Sequence, residues 1–596
     1  MRPTFPVLAC LIAVPVAAQQ AADAVQPEAA TNAPAAFEGL SDAAQAALDA
    51  KAAGRPTEAA EWMVAAANPL AVEAGADVLR AGGSAADAMV AVQAVLGLVE
   101  PQSSGLGGGA FLVWYDAATG EITTLDGREK APMATTPLRF LTDDGEEMVF
   151  QTAVIGGRSV GVPGTPALME EAHARWGTAD WAGLFDAAIG HATDGFAVSP
   201  RLAGLIAESE TLDAFRTTAD YFLPGGTPLA AGDMLTNRPY ADVLTRMAEA
   251  GAGVIYEGPI AEDIVATVQG AEGNPGDMTL ADLAAYSVVE RPAVCVPYRR
   301  AEVCGMGPPS SGGLTVGQIL GMMETFDIAA MGPADPMAFR ILGDASRLAF
   351  ADRGRYMADS DFVPMPTEGL VAPDYLAARA ELLRGDDALP EVAPGMPEWS
   401  HAQLWGDDDA IELPSTSHIS IVDAAGNALS MTTTIESGFG SHLMTNGFLL
   451  NNELTDFSFS THDEDGWPIA NRVEPGKRPR SSMAPTIVMR DGSPELVIGS
   501  PGGSRIIGYV AQAIVAHMDW GMDVQQAVAM GHAVNRFGTY DLEEGTDVAD
   551  LEAPLAGMGF EVGVRDLNSG LHAIRIGADG LTGGADPRRE GIALGE

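Results

Sequence analysis

The sequence has 596 residues, of which 47% are hydrophobic and 6% aromatic, and this is enough apolar material for a large core. Its 81 acidic residues outnumber 33 basic ones and give a formal net charge of −48 at pH 7. A surface of that sign repels nucleic acids and anionic lipids. The composition therefore predicts a globular protein that binds neither of them.

The N-terminus, residues 1–18, has the features of a secretory signal peptide. One arginine is followed by an apolar run too short to span a bilayer, and small residues precede a cleavage position after Ala18. Residues 7–10 also resemble a lipoprotein box, although the apolar run continues past them. We expect a periplasmic or secreted protein, with lipid attachment as the alternative. Residues 19–56 are rich in Ala, Gln, Asp and Pro and predict a poorly ordered leader.

From residue 57 onward the sequence shows neither a long linker nor an internal repeat. The apolar periodicity of residues 68–98 predicts two helices separated by Ala81-Gly82-Gly83. The glycine pattern at residues 105–110 could belong to a dinucleotide-binding protein, in which a strand precedes the pattern and a helix follows it. Here the predicted helix comes first and the predicted strand, Phe111–Tyr115, comes second, which argues against a nucleotide site.

Two of the three cysteines remain after removal of the signal peptide, which contains Cys10. Cys295 and Cys304 lie in two short strand-like pieces around a turn at residues 298–301. Because export places them in an oxidising compartment, we expect a cross-strand disulfide. We find no spacing typical of metal ligands, and the acidic turn at residues 463–466 lacks the closing glutamate of a calcium loop. The sequence predicts neither a metal nor a cofactor.

A threonine stands at the start of a predicted hairpin in "LPSTSHISIVDAAGNALSMTTTIE", residues 413–436. A proline-rich acidic loop at residues 390–415 precedes it. If residues 423–427 form a five-residue turn, Val422 faces Ala428, and Thr416 then faces Thr434 within hydrogen-bonding reach.

The polar face of the second strand of this hairpin carries Ser430, Thr432, Thr434 and Glu436. A threonine-rich hairpin that faces solvent would show the same alternation, so the pattern alone does not establish a site.

Three later segments offer groups suited to a polar active site: Glu453 and Asp456 in "LLNNELTDFS", Ser481 and Ser482 in "KRPRSSMAPTIV", and Gly502 and Gly503 in "GSPGGSRIIGYV". The two glycines open a predicted helix, where unpaired backbone N–H groups and the helix dipole suit an oxyanion hole. Taken singly, the three segments also fit a helix cap, a turn and the tight start of a helix.

Together these segments resemble the γ-glutamyltransferase family of N-terminal nucleophile (Ntn) hydrolases, from about residue 57 to the C-terminus. The resemblance rests on the following motifs in the family's order: "SGLGGGAFLV", "LDGREKAP", "GPPSSGG", "STSHISIVDAAGNALSMTTTIESGFGS", "LLNNELTDF", "KRPRSSMAPTIV", "GSPGGSRI" and "GGADPRREG". It implies an α+β fold, a four-layer αββα sandwich. It also implies one precursor cut into a large subunit, residues 57–415, and a small subunit, residues 416–596, which together form one catalytic domain.

By position, Thr416 matches the family's nucleophile, which becomes the first residue of the small subunit after a cut behind Ser415. A threonine hydroxyl needs a base, and a freed α-amino group with a pKa of about 7.7–8.0 can supply one. The resemblance further implies that Thr434 hydrogen-bonds the nucleophile and that the Gly502 and Gly503 backbone forms the oxyanion hole.

The family's substrate is a γ-glutamyl amide such as glutathione, whose glutamyl end carries an α-carboxylate and an α-ammonium group. Arg128 matches the arginine that binds the carboxylate, joined by Ser481 and Ser482, and a guanidinium fork suits that planar anion. Asp456 matches the aspartate that binds the ammonium.

Glu436 and Glu453 occupy the positions beside that aspartate, where some family members have amides. The extra negative charge could tighten ammonium binding or shift the preferred acyl group. Residues 457–480 match the lid of the family and contain Trp467 but no tyrosine, so closure of this lid stays an open question.

We therefore predict an exported, self-cleaving γ-glutamyltransferase that uses an ester on Thr416 to pass the γ-glutamyl group to water, amino acids or peptides. One alternative is a related Ntn acylase that acts on glutaryl or cephalosporin-type amides. A second is an unprocessed amino-acid-binding protein, against which the intact Thr416, Thr434 and Gly502-Gly503 argue.

Overall fold

The computed structural model describes residues 37, 39–401 and 404–596, and the predicted signal peptide lies outside them. Among the described residues, two antiparallel sheets of seven strands each dominate the fold. The strands of the first sheet, in spatial order, are Thr57–Ala59, Gly580–Ala585, His572–Gly577, Ser493–Gly499, Thr486–Arg490, Ala301–Gly305 and Val294–Tyr298. Those of the second are Ile592–Gly595, Met63–Ala66, Ser417–Val422, Ala428–Thr434, Gly109–Tyr115, Ile122–Gly127 and Val289–Arg291. Both sheets thus combine strands from before and after Thr416.

Successive side chains of a strand point to opposite faces of its sheet, so each sheet has an inner and an outer face. The inner faces of the two sheets pack against each other. In the strand Met63–Ala66, Met63 and Ala65 pack between the sheets, whereas Val64 and Ala66 pack towards helices. In the part of the chain that the structure describes, three smaller strand groups lie outside the sandwich: Met444–Thr445 with Phe448–Leu449, Phe196–Ala197 with Met234–Leu235, and Ala533–Asn535 with Thr539–Glu543 and Glu561–Arg565.

Helices cover the outer face of each sheet and complete four layers in the order αββα. The layer on the second sheet contains Pro69–Arg80, Ala85–Val99, Thr165–Trp176, Asp186–Asp194, Pro200–Glu208, Arg238–Ala250 and Pro259–Gln269. The layer on the first sheet contains Gly312–Met323, Pro336–Tyr356, Pro373–Glu381, Ile506–Met518 and Val524–Ala529. Shorter helices are Phe150–Val154, Arg216–Phe222, Gly253–Tyr256, Leu280–Ala284, Ile328–Met331, Thr367–Leu370 and Glu552–Gly557. The predicted four-layer sandwich is confirmed.

The first two helices of the core agree with the sequence prediction. Asn68 caps the helix Pro69–Arg80, and Ser84 forms a capping box with Asp87 at the start of Ala85–Val99. The strand Gly109–Tyr115 follows these helices, as predicted. Among the described residues, no helix combines the length and apolarity needed to cross a membrane.

The prediction of a poorly ordered leader was wrong for residues 42–52, which form the helix Asp42–Ala52. Ala44 and Ala47 of this helix are buried in the core, and Lys51 Nζ donates to the carbonyl oxygens of Arg589 and Gly591 at 2.8 and 2.6 Å. An alanine-rich segment looked too poor in large apolar groups to pack, but small side chains allow the helix to approach the C-terminal strand closely.

The predicted disulfide is confirmed: Cys295 and Cys304 are directly opposed on the strands Val294–Tyr298 and Ala301–Gly305 and are bonded to each other. Cys304 packs into the apolar layer between the two sheets.

Candidate active site

The strands Ser417–Val422 and Ala428–Thr434 form an antiparallel pair that we call the central hairpin. Val422 pairs with Ala428 and Ser417 with Thr433, so the predicted register is confirmed and Thr416 lies opposite Thr434. The hydroxyl oxygens of Thr416 and Thr434 are 3.1 Å apart, and the Thr434 hydroxyl also accepts the N–H of Glu436 at 2.8 Å. The hairpin is buried on both faces and does not present its threonines to solvent.

The peptide bond between Ser415 and Thr416 is held from both sides. The N–H of Gly502 donates to the Ser415 carbonyl oxygen at 3.1 Å, and Arg589 donates to the Thr416 carbonyl oxygen at 3.1 Å. Thr416 has φ of +98°, a region in which a β-branched residue is strained by about 1–3 kcal/mol. A strained residue thus follows a carbonyl group that already contacts a backbone donor.

Two consecutive glycines position this N–H donor, where a 3-10 turn, Gly503–Arg505, leads into the helix Ile506–Met518. Gly502 has φ of +131° and Gly503 has φ of +57°, both in the region that favours glycine. A Cβ atom on Gly503 would lie 2.6 Å from the carbonyl oxygen of Leu413, and one on Gly502 would lie 2.8 Å from the Tyr509 ring. Glycine is therefore needed at both positions for the chain to pass this close.

One pocket gathers the predicted site residues around Thr416. Its lining is Glu412, Leu413, Thr416, Thr434, Glu436, Glu453, Asp456, Ser481, Ser482, Met483, Gly503 and Ile506. Arg128 and Gly502 do not line it, but Arg128 contacts Glu453 and Asp456, and Gly502 contacts Ser415. The structure therefore brings all the predicted catalytic and binding residues together.

Arg128 is fully buried and forms ion pairs with Glu453 and Asp456. Its guanidinium also donates to the carbonyl oxygens of Pro479, at 3.2 Å, and Arg480, at 2.9 Å. These bonds fix the guanidinium beside the two carboxylates, next to the segment that carries Ser481 and Ser482.

Glu436, Glu453 and Asp456 form a buried acidic group, and Arg128 is the one cation among the described residues that pairs with it. Burial raises the pKa of Glu436 to about 7, against the lowering effect of a hydrogen bond from Asn452. Burial also raises the pKa of Glu453 and of Asp456 well above their usual range, although Arg128 opposes both shifts. An additional cation among these side chains would favour their ionised forms.

The polar interior continues behind the pocket along the same face of the central hairpin. The two ring nitrogens of His418 lie 2.9 Å from the Thr432 hydroxyl and 3.0 Å from the Ser420 hydroxyl. Burial lowers the pKa of His418 well below its usual range, so this imidazole is neutral. Although it lies two residues from Thr416, His418 does not line the pocket and serves as a packed polar group.

Sequence reasoning missed the pairing of Glu412 with Arg353. Arg353 is 2% exposed, lies near the end of the helix Pro336–Tyr356 and forms an ion pair with Glu412. It also donates to the hydroxyls of Ser482 and Ser311, both at 2.8 Å. The available signal was the presence of charged residues on the apolar face of a helix, since Arg353 and Asp352 stand among buried positions there.

A four-layer αββα sandwich with a buried threonine at the start of a central strand, beside backbone donors, defines an N-terminal nucleophile hydrolase. The chain matches the model of the family described as gamma-glutamyltranspeptidase over residues 71–596.

Comparison with known proteins agrees with this class. The chain is 37% identical over 548 residues to the "Glutathione hydrolase proenzyme" of Bacillus subtilis (strain 168), covering 90% of this chain and 91% of that one. The protein of the same name from Escherichia coli (strain K12) is 36% identical over 546 residues, covering 89% and 91%. The crystal structure of cephalosporin acylase from Bacillus halodurans superimposes with a TM-score of 0.78 at 25% identity, covering 91% of this chain and 97% of that one.

The chain belongs to the gamma-glutamyltranspeptidase family within the N-terminal nucleophile hydrolases. The predicted family and fold are confirmed, and the protein is an enzyme, not an unprocessed amino-acid-binding protein.

Proposed function

We propose that this protein is an exported, self-processing γ-glutamyltransferase. It removes the γ-glutamyl group from glutathione and related amides and passes it to water, amino acids or peptides. The observation that carries the proposal is the arrangement of Thr416 beside Thr434, with the preceding carbonyl group on the Gly502 N–H. The names of the Bacillus subtilis and Escherichia coli relatives agree with glutathione as a donor.

Processing begins with attack of the Thr416 hydroxyl oxygen on the carbonyl carbon of Ser415. The C–N bond to Thr416 breaks, an ester forms on the Thr416 oxygen, and the freed nitrogen takes up the proton as an amine. Water then hydrolyses the ester and leaves a carboxylate on Ser415. The Gly502 N–H is positioned to stabilise the negative charge on the Ser415 oxygen during attack. Large and small subunits, residues 57–415 and 416–596, result from this cut.

In the mature enzyme the new α-amino group of Thr416 acts as the base for its own hydroxyl. The hydroxyl oxygen attacks the γ-carbonyl of the donor, the amine leaves, and the γ-glutamyl group remains as an ester on Thr416. Water or an acceptor amine then attacks this ester and regenerates the hydroxyl. Thr434 orients the nucleophile, and the N–H groups of Gly502 and Gly503 stabilise the oxyanion.

The donor's α-ammonium binds Asp456, with Glu436 and Glu453 beside it, and its α-carboxylate binds Arg128, Ser481 and Ser482. What supports this assignment is the excess of buried carboxyl groups: Arg128 is the one described cation paired with Glu453 and Asp456, and burial raises the pKa values of Glu436, Glu453 and Asp456. A glutaryl group has no ammonium to supply that charge, so the pocket favours γ-glutamyl donors over glutaryl or cephalosporin-type acyl groups.

Export is proposed from the signal peptide, with the periplasm or the exterior as the destination. The disulfide between Cys295 and Cys304 agrees with an oxidising compartment.

The function is tested on the purified, exported protein. A denaturing gel should show two fragments, and N-terminal sequencing of the smaller one should begin Thr-Ser-His-Ile-Ser. The cut protein should release the anilide from γ-glutamyl anilide faster than from glutaryl anilide. A fully active single chain would refute the processing mechanism, and a preference for glutaryl anilide would favour the acylase alternative.

A further inference from the structure

The segment that precedes the cut forms part of the pocket wall in the uncut chain and leaves a cavity of about 20 Å³. Glu412 and Leu413 line the same pocket as Thr416. The N–H of Leu413 donates to the Glu436 carboxylate at 3.1 Å, and the Leu413 carbonyl oxygen lies against Gly503. A donor molecule and this segment cannot occupy the pocket together, so the segment must withdraw before substrate binds.

The carboxylate of Glu412 lies in the part of this pocket that contains Ser482. This carboxylate contacts the guanidinium of Arg353, and the same guanidinium nitrogen donates to the Ser482 hydroxyl at 2.8 Å. Arg480 Nε lies 3.9 Å from the Glu412 carboxylate. Glu412 is therefore bound by a buried arginine and stands beside a serine that we assign to the donor's α-carboxylate.

We propose that Arg353 binds the donor's α-carboxylate in the mature enzyme, at the place that Glu412 occupies before the cut. The inference rests on the proposed function, because it uses Ser482 as part of the donor site. It adds a second guanidinium to that site, beside the predicted Arg128. Processing then exchanges an internal carboxylate for the carboxylate of the substrate.

The local structure permits this exchange. Between Arg384 and Ser417 the described residues form neither a helix nor a strand, so only loop contacts hold the segment once its end is free. Among the described residues, Glu412 provides the one carboxylate paired with Arg353, and the other side-chain hydrogen bonds of Arg353 go to the neutral hydroxyls of Ser311 and Ser482. A buried guanidinium that loses its carboxylate is costly, and a substrate carboxylate removes that cost.

The two cationic sites and the acidic group together also fit the donor's charges. Arg128 is paired with Glu453 and Asp456, whereas departure of Glu412 removes the carboxylate that is paired with Arg353. A γ-glutamyl donor brings one carboxylate, which replaces that of Glu412 at Arg353, and one ammonium, which adds a cation beside the buried carboxyl groups.

The test compares two anilide donors that differ only in the α-carboxylate: γ-glutamyl anilide and 4-aminobutyryl anilide. In the cut fraction of Arg353→Gln, kcat/KM for γ-glutamyl anilide should fall by about 10- to 100-fold, mainly through KM, because a hydrogen bond to a charged group is lost. Activity on 4-aminobutyryl anilide should change little. Arg353→Lys keeps the charge without the fork and should lie between the two; it provides the comparison if Arg353→Gln remains uncut.

Arg355→Gln is the matched control, since Arg355 lies on the same helix but is paired with Asp407 away from the pocket. It should keep the ratio between the two donors. Glu412→Gln should slow the cut but leave this ratio unchanged in the mature enzyme, because Glu412 has by then withdrawn. An unchanged ratio in both Arg353 variants would overturn the inference, as would an altered ratio in mature Glu412→Gln. Failure of the parent to use γ-glutamyl anilide would instead refute the proposed function.

Discussion

The two ends of the central hairpin belong to one antiparallel strand pair but have opposite chemistry. At the turn, Val422 and Ala428 pack between the sheets with Ile487 and Val497. At the open end of the same face, Thr416 and Thr434 meet in a polar pocket. Between them the face passes through the hydrogen-bonded His418, Ser420 and Thr432. The apolar end fixes the register, since a slip by one residue would turn these groups to the other face, and the register then positions the polar end.

The strongest test of this division is removal of the Thr416 hydroxyl. Thr416→Ala should stay a single chain and lose all activity, because neither the cut nor the acyl ester can form without the oxygen. Thr416→Ser should be cut, at a lower rate. Gel densitometry over time should give first-order cleavage whose rate is independent of protein concentration. A concentration-dependent rate would mean cleavage in trans and would contradict the mechanism.

Asp456→Ala should have the next largest effect. Loss of one partner of a buried ion pair costs about 3–5 kcal/mol, so kcat/KM for γ-glutamyl anilide should fall by about 100-fold or more. Glutaryl anilide lacks the ammonium and should be affected much less. The variant must first be shown to be folded and cut. An unchanged preference between the two anilides would refute the assignment of Asp456 to the ammonium.

Replacement of both cysteines by serine addresses the apolar end. The chain-entropy model gives a loss of about 2–3 kcal/mol in the free energy of unfolding for so short a loop. Because Cys304 packs between the sheets and not in the pocket, the cut and the donor preference should remain. Denaturant unfolding measures the loss, and the reduced parent is the control. A change in donor preference would show that the two ends are coupled.

Glu436→Gln should change how stability depends on pH. The folded pKa of Glu436, about 7, lies above that of the unfolded chain, so its stabilising contribution is complete below about pH 4 and is lost as the pH rises to 7. On a Thr416→Ala background the parent should lose on the order of 2 kcal/mol over this range through Glu436. Urea unfolding at several pH values should show that this loss is absent from the variant. If the free energy of unfolding fell equally with pH in the parent and in Glu436→Gln, the raised pKa of Glu436 would be contradicted.

Thr434→Val and Thr432→Val compare two neighbouring hydroxyls on the polar face of the hairpin, and their expected effects are the smallest. A neutral hydrogen bond contributes about 1 kcal/mol, so Thr434→Val should slow the cut and turnover by about 5- to 10-fold. Thr432→Val leaves a nitrogen of buried His418 without its partner and should lower stability while the rates remain. Equal effects of the two variants on rate would mean that Thr432, like Thr434, contributes to the reaction and not only to packing.

The register of the hairpin could be predicted from the sequence because a five-residue turn at residues 423–427 sets Val422 opposite Ala428, and the other pairs follow by counting outward. The pairing of Arg353 with Glu412 could not, since it joins a helix to an irregular loop across 59 residues and no period relates them. The helix Asp42–Ala52 was missed because its packing depends on small side chains against the C-terminal strand, which local composition does not reveal.

Each sheet combines strands from before and after Thr416, and this affects how the protein recovers from denaturation. A cut after Ser415 leaves two pieces that each contribute strands to both sheets, so neither piece contains a complete sheet or core. The intact precursor assembles from one molecule, whereas the mature protein would have to reassemble from two. Its folded state would be set before the cut, and its lifetime would then depend on slow unfolding and not on refolding. After heating, dilute mature enzyme should therefore stay inactive under conditions in which uncut Thr416→Ala regains its structure.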